Sequence, residues 1–194
     1  FEVLDVVPAH VKIGTAARRV VDLEKNLSLE FADVHYAYDD GQRPALEGFS
    51  CRVGHGQRVA LVGPSGAGKT STINLLMGFL QPQQGSVEIN GRPLRDYDPA
   101  SWRRRIALLP QRPGLFPCSV EDNIRLSDPT ADRETVIQAA KLARADEFIE
   151  RLPQGYLTQV GEAGRGLSGG QLQRAMTAMA MACRPDLIIF DEPT

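Results

Sequence analysis

The stretch that most constrains this chain is Gly63-Pro64-Ser65-Gly66-Ala67-Gly68-Lys69-Thr70, which reads G-x-x-x-x-G-K-[ST] and follows the apolar, β-type run Arg58-Val59-Ala60-Leu61-Val62. A glycine-rich turn between a strand and a helix is the setting in which that pattern binds phosphate. Glycines let backbone N–H groups curl around an anion where side chains would collide, and the positive end of the following helix points at the same place. Lys69 would reach the β- and γ-phosphates, and the Thr70 hydroxyl would be one ligand of a Mg²⁺ bridging them. The implied ligand is a nucleoside triphosphate with Mg²⁺. The alternative is a glycine-rich turn carrying an incidental lysine.

The 194 residues are ordinary in hydrophobic and charged content, which predicts one main globular domain with a sizeable core. The formal net charge of −2 provides no basic field for nucleic acid, and Arg103-Arg104-Arg105 reads as a solvated helix face. Cys51, Cys118 and Cys183 have no metal-ligand spacing and fit reduced thiols. No run approaches the ~18 apolar residues of a membrane span, and the first residues lack the order of a signal peptide. The chain opens on Phe1-Glu2-Val3-Leu4-Asp5 and stops at Asp191-Glu192-Pro193-Thr194, directly after a buried-strand pattern. The expectation is a piece of a longer polypeptide, with residues 1–27 a linker and 28–194 a domain incomplete at its C-terminus.

From Ser28 the pattern tightens. Leu29, Phe31, Val34, Tyr36 and Tyr38 predict extended structure, Asp39-Asp40-Gly41 a turn, and Phe49 to Val53 a second strand of a small antiparallel sheet. Tyr38 reads either as a flat face for a base or as a core aromatic. Ser71 to Leu80 is a helix too apolar for a surface position. Gly85 to Gly91 is a short strand ending in a turn, and Asp98 caps a helix with Pro99 at its first position. Ile106 to Leu109 is a short buried strand, and Gln111 stands just beyond it, where ligand-contacting groups of open α/β sheets collect. Residues 119–152 form a helical block capped by Ser119 and Asp132. Leu167-Ser168-Gly169-Gly170-Gln171 then opens a helical run to Ala182, either as a second anion site or as a plain serine cap. Met176, Met179 and Met181 on that run read as core filler.

Leu187-Ile188-Ile189-Phe190 is a continuous apolar run of the kind found at the centre of a parallel sheet, and it ends in Asp191-Glu192. Carboxylates there are costly unless they face a cation or a polar cleft. Asp191 suits holding Mg²⁺ through its coordinated water, and Glu192 suits polarising a water toward the γ-phosphate.

Taken in order, these segments resemble the nucleotide-binding domain of ABC transporters over about residues 28–194. Tyr38 matches that family's adenine-stacking aromatic, Gly63 to Thr70 its Walker A, Gln111 its Q-loop, Leu167 to Gln171 its LSGGQ signature, and Leu187 to Glu192 its Walker B with the catalytic glutamate. The resemblance implies an α/β phosphate-loop fold with a mainly parallel core sheet, an antiparallel β subdomain and a helical signature subdomain. It implies catalysis by Glu192, Gln111 and Lys69. Nucleotide contacts would come from Tyr38, Gly63, Pro64, Ser65, Gly66, Ala67, Gly68, Lys69, Thr70 and Ser71, and from Ser168, Gly169, Gly170 and Gln171 of a second such domain meeting the first head to tail. Metal contacts would come from Thr70, Gln111 and Asp191.

Val160-Gly161-Glu162 resembles the exporter X-loop, and residues 1–5 resemble the stretch leaving a last transmembrane helix, which implies a fused transmembrane domain upstream. Leu75 to Leu80 and Asp98 to Trp102 are similar to CydD-type cysteine and glutathione exporter subunits. The implied partners are a second nucleotide-binding domain, identical or not, and a transmembrane domain, with no nucleic acid; the implied place is the cytoplasmic face of the cell membrane. The competing readings are a soluble ABC-type ATPase acting on nucleic acid or ribosomes and a nucleotide-binding module that no longer hydrolyses. The chain departs from the family pattern in three ways. It ends before the D-loop and switch histidine, so that none of His10, His35 and His55 takes that role. Met179 stands where many members have arginine, and Cys118 where a small residue is usual.

Overall fold

A computed structural model describes residues 26–38, 44–111, 114–161 and 166–191. Residues 1–25 of the expected linker, the Asp39–Gly41 turn, Glu162 and Glu192 lie outside the described residues, while Leu27, at the end of the expected linker, is buried in the core.

Four strands make an antiparallel sheet in the order β2-β1-β3-β4: β1 (Leu29–Ala37), β2 (Pro44–Val53), β3 (Gln84–Ile89) and β4 (Arg92–Pro93). In β1 alternate residues point to opposite faces, so Leu29, Phe31 and Val34 are buried, the step from Phe31 to Val34 being taken up by a register shift. The bulge centres on Asp33, whose φ is 47°. Gly85 is fixed by this pairing. A Cβ there would lie 2.2 Å from the Asp33 carbonyl oxygen and 2.3 Å from that of Ala32.

The second ladder is parallel. In it β5 (Ile106–Leu109) runs beside β6 (Leu187–Phe190), with Ile106 opposite Leu187 and Leu109 opposite Phe190. These short strands separate two cores. Ile106, Leu187 and Ile189 face a cluster built on β1, β3, α1 (Lys69–Leu76) and Trp102 of α2 (Pro99–Arg103). Ala107, Leu109 and Ile188 face a helical cluster of α3 (Val120–Arg125), α4 (Arg133–Leu142), α5 (Asp146–Ile149) and α6 (Gly169–Ala182). Packing on both faces suits unbroken apolar runs, although β6 is only half-buried and Leu108 and Phe190 are exposed among the described residues.

The α/β class, the antiparallel subdomain and the helical subdomain are as expected. The extent of the parallel sheet differs, because Arg58 to Val62 joins no ladder among the described residues, and Val59, Leu61 and Val62 are 51%, 42% and 89% exposed. Apolar character favours a strand, but a strand forms only where a neighbour takes its N–H and C=O groups. The described parallel ladder is therefore β5 with β6. Helix α1 also stops earlier than its apolar run, at Leu76, because Gly78 turns to φ 72°. Beyond that turn Phe79 is half exposed, with the Arg103 guanidinium 5.3 Å from its ring centre.

Short-range caps are where the sequence places them. Asp98 accepts from Ser101 N–H, Ser119 from Asp122 N–H and Asp132 from Thr135 N–H. Trp102 is fully buried and donates its indole N–H to the Leu76 carbonyl at 2.6 Å, satisfying an end carbonyl of α1. In the helical part, Tyr156 donates to Asp146 at 2.6 Å, and burial, reinforced by that carboxylate, pushes its phenol far above the usual range.

Candidate functional site

The loop from Gly63 to Gly68 leads straight into α1. Gly66 and Gly68 adopt φ 82° and 83°, left-handed values that cost an L-residue free energy. Ala67 N–H donates to the Pro64 carbonyl at 3.2 Å, which closes the turn. Gly68 sits at the N-cap, and its carbonyl accepts both the Thr72 N–H at 2.8 Å and the Thr72 hydroxyl at 3.0 Å. Lys69 arches back over the loop and donates from Nζ to the carbonyls of Gly63 at 2.8 Å and Pro64 at 3.1 Å. Its charge is thus held at the loop mouth, beside the N–H groups that begin α1.

Gly68 has a second, purely steric role. A Cβ at this position would lie 2.4 Å from the Ala45 carbonyl oxygen and 2.7 Å from Leu46 Cδ2. The glycine lets the start of α1 rest on β2.

Thr70 is exposed and Ser71 is buried. The hydroxyls of Ser71 and Tyr38 are hydrogen-bonded at 3.1 Å, which brings the aromatic and the phosphate loop together. Tyr38 lies just past β1 and is 47% exposed, which decides against the core reading of this residue.

Gln111 and Asp191 follow the ends of two strands paired in parallel register. They leave the carboxyl ends of β5 and β6, and Asp191 N–H donates to the Leu109 carbonyl at 3.0 Å, one step beyond the Leu109–Phe190 pair. The hydroxyl of Thr70, the carboxylate of Asp191 and the amide oxygen of Gln111 are all hard oxygen donors, a set that suits Mg²⁺. Among the described residues no cluster of three or more His, Cys, Asp or Glu offers a competing metal site.

Ser168 to Gln171 lies apart, on the helical subdomain. Ser168 caps α6, its Oγ accepting Gln171 N–H at 3.3 Å while Gln171 Oε1 accepts Ser168 N–H at 2.9 Å. This reciprocal pair is a capping box, so within this chain the serine acts as the cap the residue pattern allows. Ser168, Gly169 and Gly170 are exposed, and the N-terminus of a 14-residue helix faces outward there.

Residue patterns missed Asn123, which is 1% exposed. Its side chain accepts from Phe116 N–H at 2.8 Å and donates to the carbonyls of Phe116 and Ser119 and to Cys118 Sγ. It thereby fixes the segment after Gln111. Burial raises the Cys118 thiol pKa and Asp122 adds to the effect, and the Cys118 carbonyl accepts Val160 N–H at 3.1 Å. A single Asn inside a helical pattern carries no signal for such contacts.

A family profile described as ABC transporter matches residues 46–194. The chain belongs to the ABC transporter family. The chain is 38% identical, over its whole length, to the multidrug resistance protein pgp-1 of Caenorhabditis elegans, of which it covers 15%. Over 86% of its length it is 40% identical to the mycobactin import ATP-binding/permease protein IrtB of Mycolicibacterium thermoresistibile, covering 28% of that protein. A solved bacterial Atm1-family ABC exporter with ATP bound matches 95% of the chain with a TM-score of 0.85 and 38% identity, and the match covers 32% of that structure's chain. This ABC domain is therefore a nucleotide-binding unit that spans less than a third of the length of these relatives.

Proposed function

We propose that the chain is the ATP-binding and ATP-hydrolysing domain of an ABC exporter, coupling MgATP binding and hydrolysis to transport across a membrane. Two constructions in the chain carry this. A left-handed glycine loop with Lys69 folded over its mouth stands at the start of α1, while Gln111 and Asp191 follow the carboxyl ends of the adjacent parallel strands β5 and β6. Tyr38 stacks on the base. Gly63, Pro64, Ser65, Gly66, Ala67 and Gly68 present main-chain groups to the phosphates, Lys69 neutralises them, and Ser71 adds a hydroxyl. Thr70, Gln111 and Asp191 hold Mg²⁺, which when bound screens the phosphate charge and positions the γ-phosphate. Glu192 takes the proton from the attacking water.

The signature group Ser168, Gly169, Gly170 and Gln171 closes on the nucleotide of a second domain, identical or not, for which its outward-facing helix N-terminus is suited. Differential affinity of ATP for the closed pair then moves the attached membrane part. We place residues 28–194 in this domain and 1–27 in a linker from a transmembrane domain, with the assembly at the cytoplasmic face of the cell membrane. The exporter structure and the multidrug relative support this reading over the soluble alternative. One relative is named for import, so the direction of transport rests on the X-loop resemblance and the exporter structure. Cysteine or glutathione compounds as cargo rest on the two CydD-like segments alone.

Lys69→Ala tests the site. Calorimetric titration should show MgATP bound about 10-fold or more weaker, as expected for loss of a charge-assisted contact, with little change in melting temperature of the nucleotide-free protein. Equal affinity in the two proteins would overturn the assignment.

A further inference from the structure

The segment that carries Tyr38 is held by a side chain acting as a strand. The ladder between β1 and β3 ends with His35 opposite Gln84, and Gln83 N–H donates to the His35 carbonyl at 2.9 Å. One step further along β1, the Gln83 carboxamide takes over. Its Oε1 accepts Ala37 N–H at 2.9 Å and its Nε2 donates to the Ala37 carbonyl at 3.2 Å. A primary amide carries the same acceptor and donor as a peptide group, so it can satisfy both main-chain groups of one residue. Both main-chain groups of Ala37 point to the Gln83 side, so its partner across the sheet, Pro44, takes neither of them. The pairing of β1 with β2 also shifts register on both sides of Tyr36, so that ladder holds this end of the strand poorly.

Ala37 lies between two tyrosines that share a face of the strand. The rings of Tyr36 and Tyr38 meet edge to face, 5.1 Å apart at 85°. The Tyr38 hydroxyl is tied to Ser71, the residue after the proposed metal ligand Thr70. The ring is thus fixed along its edge by Tyr36, at its tip by Ser71 and at its backbone through Gln83, while nearly half of Tyr38 stays exposed.

We propose that Gln83 is a positioning residue for base recognition: its two-sided clamp on Ala37 presets the Tyr38 ring for the base of the bound nucleotide. The proposal rests on the reading of Tyr38 as the stacking face. Gln83 touches no phosphate-loop residue through the bonds described, so its contribution is confined to the base. Without the clamp, the last pair of the strand is open to water, and ordering the ring is left to the binding event, which lowers affinity.

The test measures affinity for two probes, MgATP and magnesium tripolyphosphate, which has phosphates and no base. Each displaces a fluorescent ATP analogue from the protein at its natural length. Stacking worth roughly 1–3 kcal/mol makes the expected loss for Tyr38→Ala about 5- to 150-fold toward MgATP. Gln83→Ala should lose a part of this, about 3- to 5-fold, as should Gln83→Glu, whose carboxylate cannot donate to the Ala37 carbonyl. Both Gln83 variants should bind tripolyphosphate as the parent does, and Tyr38→Ala/Gln83→Ala should be no worse than Tyr38→Ala alone, because the clamp acts through the ring. Parental MgATP affinity in Gln83→Ala alongside a loss in Tyr38→Ala would overturn the clamp and leave the stacking reading intact. Unchanged affinity in Tyr38→Ala would overturn both. Equal losses for the two probes in Gln83→Ala would mean a general loosening and would also overturn the proposal.

Discussion

Replacing Gly68 by alanine should do more damage than replacing Gly66, although both glycines have nearly the same backbone conformation in the same loop. At φ 82° and 83° each alanine suffers the left-handed penalty of about 1–2 kcal/mol. Around Gly66 a Cβ meets nothing within 4 Å, so that penalty is the whole effect. At Gly68 the Cβ would be 2.4 Å from the Ala45 carbonyl oxygen, a main-chain atom of β2 that cannot swing away. Overpacking of this kind adds about 1–3 kcal/mol, for a total of about 2–5 kcal/mol against a typical domain stability of about 5–15 kcal/mol. At about 2–4 °C per kcal/mol for a domain of this size, Gly68→Ala should melt about 4–20 °C below the parent and Gly66→Ala about 2–8 °C below it. Trp102 is the chain's one tryptophan and is fully buried, so its fluorescence reports the transition. Equal shifts for the two variants, or a larger one for Gly66→Ala, would refute the view that Gly68 is there to let α1 rest on β2.

Trp102→Phe leaves the Leu76 carbonyl without its indole donor and opens a void between α1 and α2, and should cost about 2–4 kcal/mol in urea unfolding. A cost under about 0.5 kcal/mol would show that the bond is replaced by water. The Asp132 carboxyl is held below its usual pKa of 3.8, chiefly by the Thr135 N–H, so its ionised form favours the fold. Its contribution is complete above 3.8 and is lost as the pH falls through the lower folded value. In Asp132→Asn that step should vanish, so melting curves of variant and parent should converge on acidification; a constant gap between them would contradict the assignment.

Local signals were legible and long-range ones were not. Asp98, Ser119, Asp132 and Ser168 all act as the caps their positions predict, because each bond spans three residues and needs no distant partner. The fixed spacing from Gly63 to Thr70 likewise carries its own geometry. Arg58 to Val62 shows the limit: its apolar pattern describes a strand, but pairing depends on a neighbour that no local pattern identifies. The apolar run places Phe79 in the core, yet the turn at Gly78 carries it out to Arg103. Within the candidate site, residue types pointed to Tyr38, Lys69, Gln111 and Asp191. The links that set their geometry, Tyr38 to Ser71 and Gln83 to Ala37, cross 33 and 46 residues and leave no periodic trace.

If this ABC domain hydrolyses ATP with Glu192 as the base, on a phosphate loop completed by Lys69, turnover depends on both residues. The most direct measurement is phosphate release under saturating MgATP by the protein at its natural length, beside its Glu192→Gln and Lys69→Ala forms. The parent should turn over ATP steadily. Glu192→Gln should fall by about 10²-fold or more while still binding ATP, because an amide cannot accept the proton of the attacking water, and Lys69→Ala should lose turnover together with binding. Near-parental phosphate release by Glu192→Gln would place the base elsewhere.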